Sequence, residues 1–475
     1  MHDIVVVGGG PGGYATAFRA AARGLDVALV EADKVGGTCL HRGCIPSKAV
    51  LHVAEVLEEV HRADVLGLRV TFDGLDGDAL AAFRENVITR MFKGLDFLVS
   101  KRTTRHEGRG RLVRGDDGRV EVEVTAHDGS TTRVQGRHVV IATGSYARAL
   151  PGVEVDGEVV QTSDQALWFT EPPRRAVVIG AGAIGMEFAS MWQPMGTEVT
   201  VVEALDRVLP LEDADCSAAV AKAYRQRGIE VLTAARVQSV ARDGDAGHVV
   251  VEVDGERRTL AADRILIATG RGPNTADIGA EELDLLDERG YVVTDEWGAT
   301  AVDGLWAVGD VRPTLALAHA AFAEGFAVAD RIAGVDRAQP VDHTQTPRVT
   351  YCHPEVASVG LTEAQARERH GDAVATETSS LRHNAKGILA GSEGFVKIVY
   401  RTDGPPSGAP GPEGAVVGVH VVGPHATDLI AEATLVTAWE ALPSELAAIT
   451  HAHPSLYEAM GEAFQSAAGL PFHGA

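Results

Sequence analysis

The chain has 475 residues, a formal net charge of −23, 45% hydrophobic residues and four cysteines. Its length predicts two to four domains rather than one core. The negative charge argues against nucleic acid as a partner, because phosphates would be repelled, and so few cysteines exclude a disulfide-stapled secreted domain. The sequence shows no signal-peptide pattern and no apolar run long enough to span a membrane, so we expect a cytoplasmic protein with no membrane partner.

The first predicted elements form a dinucleotide-binding pattern. Residues 4–13, IVVVGGGPGG, read as a buried strand that enters a G-x-G-x-x-G turn, with a helix and a second strand after it. The second strand ends in Glu31, 21 residues after the middle glycine of the turn. Such glycines allow a tight turn, close approach of a pyrophosphate and close helix–strand packing. The helix N-terminus then faces the phosphates, and the acid accepts hydrogen bonds from ribose.

Two cysteines follow, in the segment GGTCLHRGCIPSK at 36–48. In a regular helix the step from Cys39 to Cys44 rises roughly 7.5 Å and turns about 140°. Because a disulfide tolerates Cα atoms only up to about 7 Å apart, a bridge requires distorted backbone, which Gly43 permits. The residues alone leave three alternatives: a metal site, two inert buried thiols, or a redox pair. A metal site lacks further ligands, because only His41 is near and the remaining cysteines are isolated, so no metal is predicted.

The dinucleotide-binding pattern then occurs a second time. Residues 45–100 are predicted to be mainly helical, and residues 119–145 form a hairpin pattern that ends in VVIATGS. Residues 177–185, VVIGAGAIG, repeat the glycine turn, and the following strand again ends in an acid, Glu203, 21 residues after the middle glycine. A second hairpin pattern over 248–271 ends in ILIATGR. The sequence therefore predicts two dinucleotide-binding units.

The remaining elements suggest that the second unit is inserted in the first. A late buried strand, LWAVGD at 305–310, and a helix over 316–334 read as a resumption of the first unit. Strands and helices after residue 346 read as a C-terminal α+β domain, with a long hairpin loop at 402–414. The predicted fold is α/β: two Rossmann-like dinucleotide-binding domains, the second inserted in the first, plus a C-terminal α+β domain. Its predicted parts are 1–147 (first dinucleotide-binding domain), 148–272 (second dinucleotide-binding domain), 273–345 (first domain, second part) and 346–475 (C-terminal domain).

These motifs, in this order, resemble those of the flavoprotein disulfide reductases, the class I pyridine nucleotide-disulfide oxidoreductases. The motifs include GGGPGGY, GGTC-x4-GCIPSK, GAGAIGMEF, WAVGD, LAHAAFAEG, YCHPEVASVG and HAHPSLYEAMGEA. The resemblance implies that residues 1–147 and 273–345 bind FAD, that residues 148–272 bind a nicotinamide dinucleotide, NAD, and that residues 346–475 form a dimerisation domain. It makes Cys39 the thiol that exchanges with substrate and Cys44 the thiol against the flavin, with Lys48 paired to Glu187.

The resemblance also assigns residues to both cofactors. Those expected at FAD are Gly8, Gly10, Gly13, Glu31, Thr38, Lys48, Gly110, Thr143, Gly144, Ser145, Asp310, Ala316, Leu317, Ala318 and His319. Those expected at the nicotinamide dinucleotide are Gly180, Gly182, Gly185, Glu187, Glu203, Val237 and Gly270. The carboxylate of Glu203 favours NAD, because it would repel a 2′-phosphate.

The segment HAHPSLYEAMGEA at 451–463 supplies the predicted acid–base chemistry. A dithiol oxidase needs a base, and His453 with Glu458 five residues later fits that role. Pro454 reads as the first residue of a helix, and His451 as structural. By resemblance the His–Glu pair serves the other subunit of an obligate homodimer.

The resemblance is strongest to family members that oxidise dihydrolipoamide on the lipoyl domains of 2-oxoacid dehydrogenase or glycine-cleavage complexes. Two alternatives remain: an NADPH-dependent reductase of another low-molecular-weight disulfide, and a non-catalytic flavoprotein subunit.

Overall fold

A computed structural model describes residues 1–391, 393–404 and 413–473. Most of the loop predicted at 402–414 lies outside the described residues. The strands, in chain order, are β1 (His2–Val7), β2 (Val27–Glu31), β3 (Thr104–Glu107), β4 (Arg109–Arg114), β5 (Val120–Thr125), β6 (Thr131–Val134), β7 (Gly136–Ile141), β8 (Ser145–Ala147), β9 (Val160–Thr162), β10 (Arg175–Ile179), β11 (Glu198–Val202), β12 (Glu230–Leu232), β13 (Arg236–Asp243), β14 (Ala246–Val253), β15 (Glu256–Ala262), β16 (Arg264–Ile267), β17 (Arg271–Pro273), β18 (Leu305–Ala307), β19 (Arg348–Thr350), β20 (Glu355–Gly360), β21 (Val374–Ser380), β22 (Phe395–Arg401) and β23 (Val416–Gly423).

The helices separate these strands and cover the sheets. They are α1 (Pro11–Ala22), α2 (Gly37–Arg42), α3 (Cys44–His61), α4 (Gly77–Arg102), α5 (Ser163–Ala166), α6 (Ala183–Trp192), α7 (Ala214–Gln226), α8 (Ala318–Ile332), α9 (Glu363–His370), α10 (Ala385–Ala390), α11 (Ala426–Ala438), α12 (Pro443–Ala447) and α13 (Tyr457–Ala467).

The first parallel sheet has the strand order β18-β7-β1-β2-β3. Its central strand, β1, is rich in valine and buried along most of its length, as expected of a parallel strand covered on both faces. Strand β18 pairs in parallel with β7, with Trp306 opposite Val140. A strand that follows the second unit in sequence therefore completes the sheet of the first unit. The predicted insertion is confirmed.

The second parallel sheet repeats this arrangement in the order β12-β11-β10-β16-β9. Each unit also carries an antiparallel sheet, β4-β5-β6 in the first and β13-β14-β15 in the second. The β14–β15 turn places Asp254 and Gly255 at φ of 51° and 82°, the left-handed pair that a tight hairpin requires. Both predicted hairpins are therefore present.

The C-terminal part is an antiparallel sheet, β19-β20-β23-β22-β21, with α11, α12 and α13 packed on it. The three parts meet around α3. Val50 and Leu51 of α3 share one hydrophobic cluster with Met186 and Phe188 of α6 and with Val422 of β23. This shared core fixes the helix that begins at Cys44 between the two dinucleotide-binding units and the C-terminal part.

Candidate active site

The two cysteines lie on either side of a helix break. Helix α2 ends at Arg42, Gly43 has φ −138° and ψ −105°, and α3 begins at Cys44. A Cβ on Gly43 would lie 3.2 Å from the Thr38 carbonyl oxygen, closer than side chains normally approach, so the position favours glycine. A continuous helix would hold the two thiols apart, so a distortion was expected between Cys39 and Cys44. The break at Gly43 confirms it.

The two thiols have opposite electrostatic environments. The two side chains interact closely enough to shift each other's pKa. The interaction with Cys39, helped by the charge of Lys48 and opposed by burial, lowers the pKa of Cys44 from 9.0 to about 7. The same interaction, together with burial, raises the pKa of Cys39. Cys44 also occupies the amino end of α3, where the helix dipole favours an anion. In the reduced pair the negative charge therefore lies on Cys44.

A partly buried ion pair lies beside Cys44. Lys48 lies one helical turn after it, and its Nζ atom is 2.9 and 2.8 Å from the two carboxylate oxygens of Glu187 on α6. Tyr351 contacts both members of the ion pair. Its backbone N–H donates to Glu187 at 3.0 Å, and its ring centroid lies 4.4 Å from Lys48 Nζ. Tyr351 was missed as a site residue. The YCHPEVASVG motif marked its segment, but no sequence signal marked its contact with Lys48.

The first glycine turn forms a cradle that excludes side chains. A Cβ on Gly13 would lie 1.8 Å from the Gly8 carbonyl oxygen, and one on Gly37 would lie 2.8 Å from the Gly10 Cα atom. The cap of α1, Gly10, has no side-chain hydrogen bond, so the first N–H groups of the helix are open to a phosphate. Glu31 accepts a hydrogen bond from the Gly9 N–H at 2.6 Å. These features fit a dinucleotide at this turn.

Other residues expected at FAD surround the same edge of the first sheet. Ser145 donates to the Asp310 carboxylate and accepts from Arg271 at 2.7 Å. The Thr143 hydroxyl donates to the Asn274 carbonyl at 2.7 Å, and Gly144 has φ 75° with open space around its Cα. Helix α8 starts at Ala318 with Leu317 as an uncapped N-cap, so its first N–H groups are also free. The other residues expected at FAD are Thr38 on α2, Gly110 packed on β1 and β2, Ala316 before α8, and His319 in the first turn of α8, whose Nε2 lies 2.7 Å from the Pro347 carbonyl.

The second glycine turn has the same geometry. A Cβ on Gly185 would lie 1.9 Å from the Gly180 carbonyl oxygen, whereas Gly182 and Gly270 face open space. Glu203 is buried, and its carboxylate accepts from the Ala181 N–H at 2.7 Å and the Leu205 N–H at 2.9 Å. This carboxylate therefore sits at the edge of the turn, as Glu31 does in the first unit. Val237 lies at a bulge in β13 and packs against the adjoining core.

The predicted acid–base pair is formed but points outward. His453 Nδ1 lies 2.8 Å from one carboxylate oxygen of Glu458, whose other oxygen accepts from the Ser455 N–H at 2.8 Å. The His453 side chain is 77% exposed. Among residues 1–391, 393–404 and 413–473, no hydrogen bond or ion pair joins it to either active-site cysteine.

The expected helix start at Pro454 is wrong, because α13 begins at Tyr457. The Glu458 carboxylate reaches back to the Ser455 N–H and His453, and this contact holds the preceding residues outside the helix. His451 is a different case: its Nε2 lies 2.9 Å from Glu432, and its side chain is mostly buried.

His41 also has a structural environment, with its Nε2 2.9 Å from the Val35 carbonyl and its ring against Phe92. Cys216 and Cys352 are both buried. In the part of the chain that the structure describes, no group of three or more His, Cys, Asp or Glu side chains is arranged to hold a metal ion.

Comparison with known proteins agrees with this geometry. Residues 2–325 match the family model "Pyridine nucleotide-disulphide oxidoreductase", and residues 346–464 match the dimerisation domain of that family. The chain belongs to the pyridine nucleotide-disulphide oxidoreductases. It is therefore an oxidoreductase, its cofactors are FAD and NAD, and its dimerisation domain supports a homodimer.

Individual relatives cover nearly the whole chain. Proteins named dihydrolipoyl dehydrogenase from Bacillus subtilis and Zymomonas mobilis are each 38% identical, over 99% of both chains. The solved structure of LpdA from Mycobacterium tuberculosis has a TM-score of 0.87 at 29% identity, over 98% of this chain and 99% of that one. The flavoprotein disulfide reductase RclA from Escherichia coli has a TM-score of 0.82 at 25% identity, over 98% of this chain and 99% of that one. None of the described helices has the length and apolar character needed to cross a bilayer.

Proposed function

We propose that the chain oxidises dihydrolipoamide to lipoamide through a Cys39–Cys44 disulfide and FAD, and that NAD⁺ receives the electrons. The observation that carries this proposal is the thiol pair at the helix break, with an acidic Cys44 beside the Lys48–Glu187 ion pair. The names of the relatives from Bacillus subtilis and Zymomonas mobilis support the same substrate.

The difference between the two thiol pKa values sets the direction of thiol exchange. One thiol of dihydrolipoamide loses its proton to His453, which passes it on to water; the resulting thiolate attacks the Cys39 sulfur, the Cys39–Cys44 bond breaks, and Cys44 leaves as a thiolate. Cys44 is the better leaving group because its pKa is lowered to about 7. The second substrate thiol then loses its proton to His453 and attacks the substrate sulfur bound to Cys39. Lipoamide is released with its ring disulfide closed, and Cys39 leaves and takes up a proton, so that two electrons remain on the cysteine pair.

A flavin held beside Cys44 would supply the two-electron chemistry that connects the cysteine pair to NAD⁺, as an acceptor from the first and a hydride donor to the second. We propose that the first glycine turn, Glu31, Asp310 and the amino end of α8 hold FAD. The second glycine turn and Glu203 hold NAD⁺. We expect Lys48, paired with Glu187, to stabilise the Cys44 thiolate by its charge.

The base is proposed to come from the second subunit. His453 is exposed and is not bonded to the cysteines of its own chain in the described residues, whereas it lies in the part that matches the dimerisation domain. Glu458 fixes the His453 ring through Nδ1, which leaves Nε2 free to take a proton. The enzyme is therefore proposed to require the homodimer for activity.

The proposed physiological substrates are lipoyl domains of 2-oxoacid dehydrogenase or glycine-cleavage complexes, and the proposed location is cytoplasmic. Both follow from the dihydrolipoamide assignment, since lipoyl groups are carried on such domains. An NADPH-dependent reductase of another small disulfide is the second candidate. The buried Glu203 carboxylate opposes it, because a 2′-phosphate there would meet a negative charge.

The test is an activity panel on the purified holoenzyme. We expect NAD⁺ reduction with dihydrolipoamide, loss of that turnover in Cys44→Ser, and a loss of about 10²–10⁴-fold in His453→Ala. Mixing Cys44→Ser with His453→Ala protein before refolding should restore part of the activity, because each mixed dimer then contains one intact site. Faster turnover of NADPH with a glutathione-like disulfide would refute the proposed substrate. Unchanged turnover in Cys44→Ser would refute the redox mechanism.

A further inference from the structure

A buried carboxylate lies behind the proposed flavin edge of the first unit. Glu324, in the second turn of α8, has a side chain only 1% exposed. It accepts hydrogen bonds from the Gly309 N–H at 2.6 Å and the Thr314 hydroxyl at 2.8 Å. His343 Nε2 lies 3.0 Å from it, and a guanidinium nitrogen of Arg312 lies at 3.3 Å. Four groups from outside the helix therefore converge on one side chain.

Three of these groups belong to the connection between β18 and α8. Gly309 directly precedes Asp310, and Arg312 and Thr314 lead to the N-cap at Leu317. Asp310 and the first N–H groups of α8 are the elements proposed to face FAD. No side chain caps the amino end of α8. The contacts of Glu324, from within the helix, instead hold the turn and the loop that lead into α8.

The carboxylate is held in its charged form. Burial alone raises the pKa of Glu324, but hydrogen bonding by His343 and the charge of Arg312 outweigh it and lower the pKa below its usual range. Arg312 is itself buried and also bonds the Thr294 hydroxyl at 2.9 Å. Neutralising Glu324 would therefore leave a buried guanidinium without its carboxylate, which strongly perturbs a site of this kind.

We propose that Glu324 is a positioning residue for FAD, which holds Asp310 and the amino end of α8 in register with the flavin. The amino end of a helix stabilises negative charge, and a flavin gains negative charge on reduction. Glu324 therefore acts on the affinity for FAD and on its reduction potential without contacting the cofactor. This inference rests on the proposed placement of FAD at the α8 end.

The same helix offers a matched control. Asp330, six residues further along α8, is also a mostly buried carboxylate, and it bonds Arg19 on α1 at 3.1 Å and Arg23, the residue after α1, at 2.8 Å. It ties the same helix to α1, and its partners do not belong to the β18–α8 connection. Asp330→Asn therefore removes a comparable buried charge on the same helix and leaves the Asp310 turn intact.

The experiment compares Glu324→Gln, Thr314→Val and Asp330→Asn with the parent chain, all as dimers with far-UV circular dichroism checked first. For Glu324→Gln we expect at least tenfold weaker FAD binding to deflavinated protein and a more negative flavin midpoint potential. A tenfold loss of preference for the reduced flavin corresponds to about 30 mV. Thr314→Val should shift both quantities in the same direction by less, and Asp330→Asn should lower only the melting temperature.

Two outcomes would overturn the inference. One is a Glu324→Gln protein whose FAD affinity and potential match those of the parent. The other is an Asp330→Asn protein that shifts both as strongly, which would make the effect one of general stability. If Glu324→Gln does not fold, Thr314→Val decides alone: an unchanged affinity and potential there would also refute it. Failure of the parent chain to bind FAD would instead refute the proposed function.

Discussion

Replacing Lys48 by methionine should raise the pKa of the Cys44 thiol. Lys48 is bonded to Glu187 at 2.8 Å, and its side chain follows Cys44 by one helical turn on α3. Methionine keeps the length and much of the volume of the lysine stem but removes the charge. Cys44 then loses a favourable cation and is left beside an uncompensated carboxylate, so both changes disfavour its thiolate.

The size of the effect follows from the helix geometry. Side chains four residues apart on a helix lie about 6 Å from each other. At an effective dielectric constant of about 20, a unit charge at that distance contributes about 2.8 kcal/mol, the free energy of roughly two pKa units. We therefore expect the pKa of Cys44 to rise from about 7 back to its ordinary value of 9.0 or above. At pH 7.5 the thiolate would fall from the majority form to a few per cent.

The assay is the pH dependence of alkylation of the reduced protein by iodoacetamide, since only the thiolate reacts. Trypsin cleaves after Arg42, so Cys39 and Cys44 fall on different peptides and mass spectrometry reports each separately. Lys48→Arg retains the charge and should leave the profile near that of the parent, as should Lys93→Met at an exposed lysine of α4.

A companion variant separates charge from packing. Glu187 raises the pKa of Cys44, so Glu187→Gln should shift the alkylation profile in the opposite direction from Lys48→Met. If both variants shift it the same way, loss of packing accounts for the change. If Lys48→Met leaves the profile within 0.3 unit of the parent, the electrostatic reasoning is wrong.

The remaining predictions concern the cofactor turns and the join between domains. Glu203→Ala removes the acid at the second turn and should raise KM for NAD⁺ about tenfold while improving the relative use of NADP⁺; unchanged kinetics with both would contradict its role. Gly13→Ala forces a Cβ to within 1.8 Å of a carbonyl oxygen, so we expect protein without FAD that unfolds at lower temperature, measured by flavin absorbance and calorimetry. Lys397→Met leaves three carboxylates without their buried cation and should cost about 3–5 kcal/mol in urea unfolding, while a loss below about 1 kcal/mol would contradict it. Burial opposes ionisation of Asp213, but hydrogen bonds from the Glu363 N–H and Lys397 outweigh it and lower the pKa of this carboxyl group. The ionised Asp213 therefore stabilises the folded protein at pH values above the ordinary carboxyl pKa. That stabilisation is lost as the pH falls through the lowered pKa of the folded state. Stability of Lys397→Met should therefore fall less steeply in acid than that of the parent.

Part of the candidate site could be predicted from the sequence because the residues that form it are close together along the chain. The two glycine turns and the acids 21 residues later describe a strand, a turn, a helix and a strand that fold against each other within some 30 residues. The required contacts are steric, as the 1.8 Å and 1.9 Å Cβ clashes at Gly13 and Gly185 show. The break at Gly43 was predictable for a similar reason, because helix geometry forbids two thiols at that spacing from meeting.

What the sequence by itself determined is therefore the fold class, the pair of dinucleotide turns and, through the family resemblance, the redox role of the two thiols. The tertiary structure decided which distant groups surround them. The Lys48–Glu187 contact, between residues 139 apart, was expected only through the family resemblance. No sequence signal showed that Tyr351 joins it from the C-terminal part or that Glu324 lies behind the Asp310 turn. Such contacts arise from packing between separate units, where no local periodicity or steric rule connects the residues, and only the folded chain brings their charges close enough to shift a pKa.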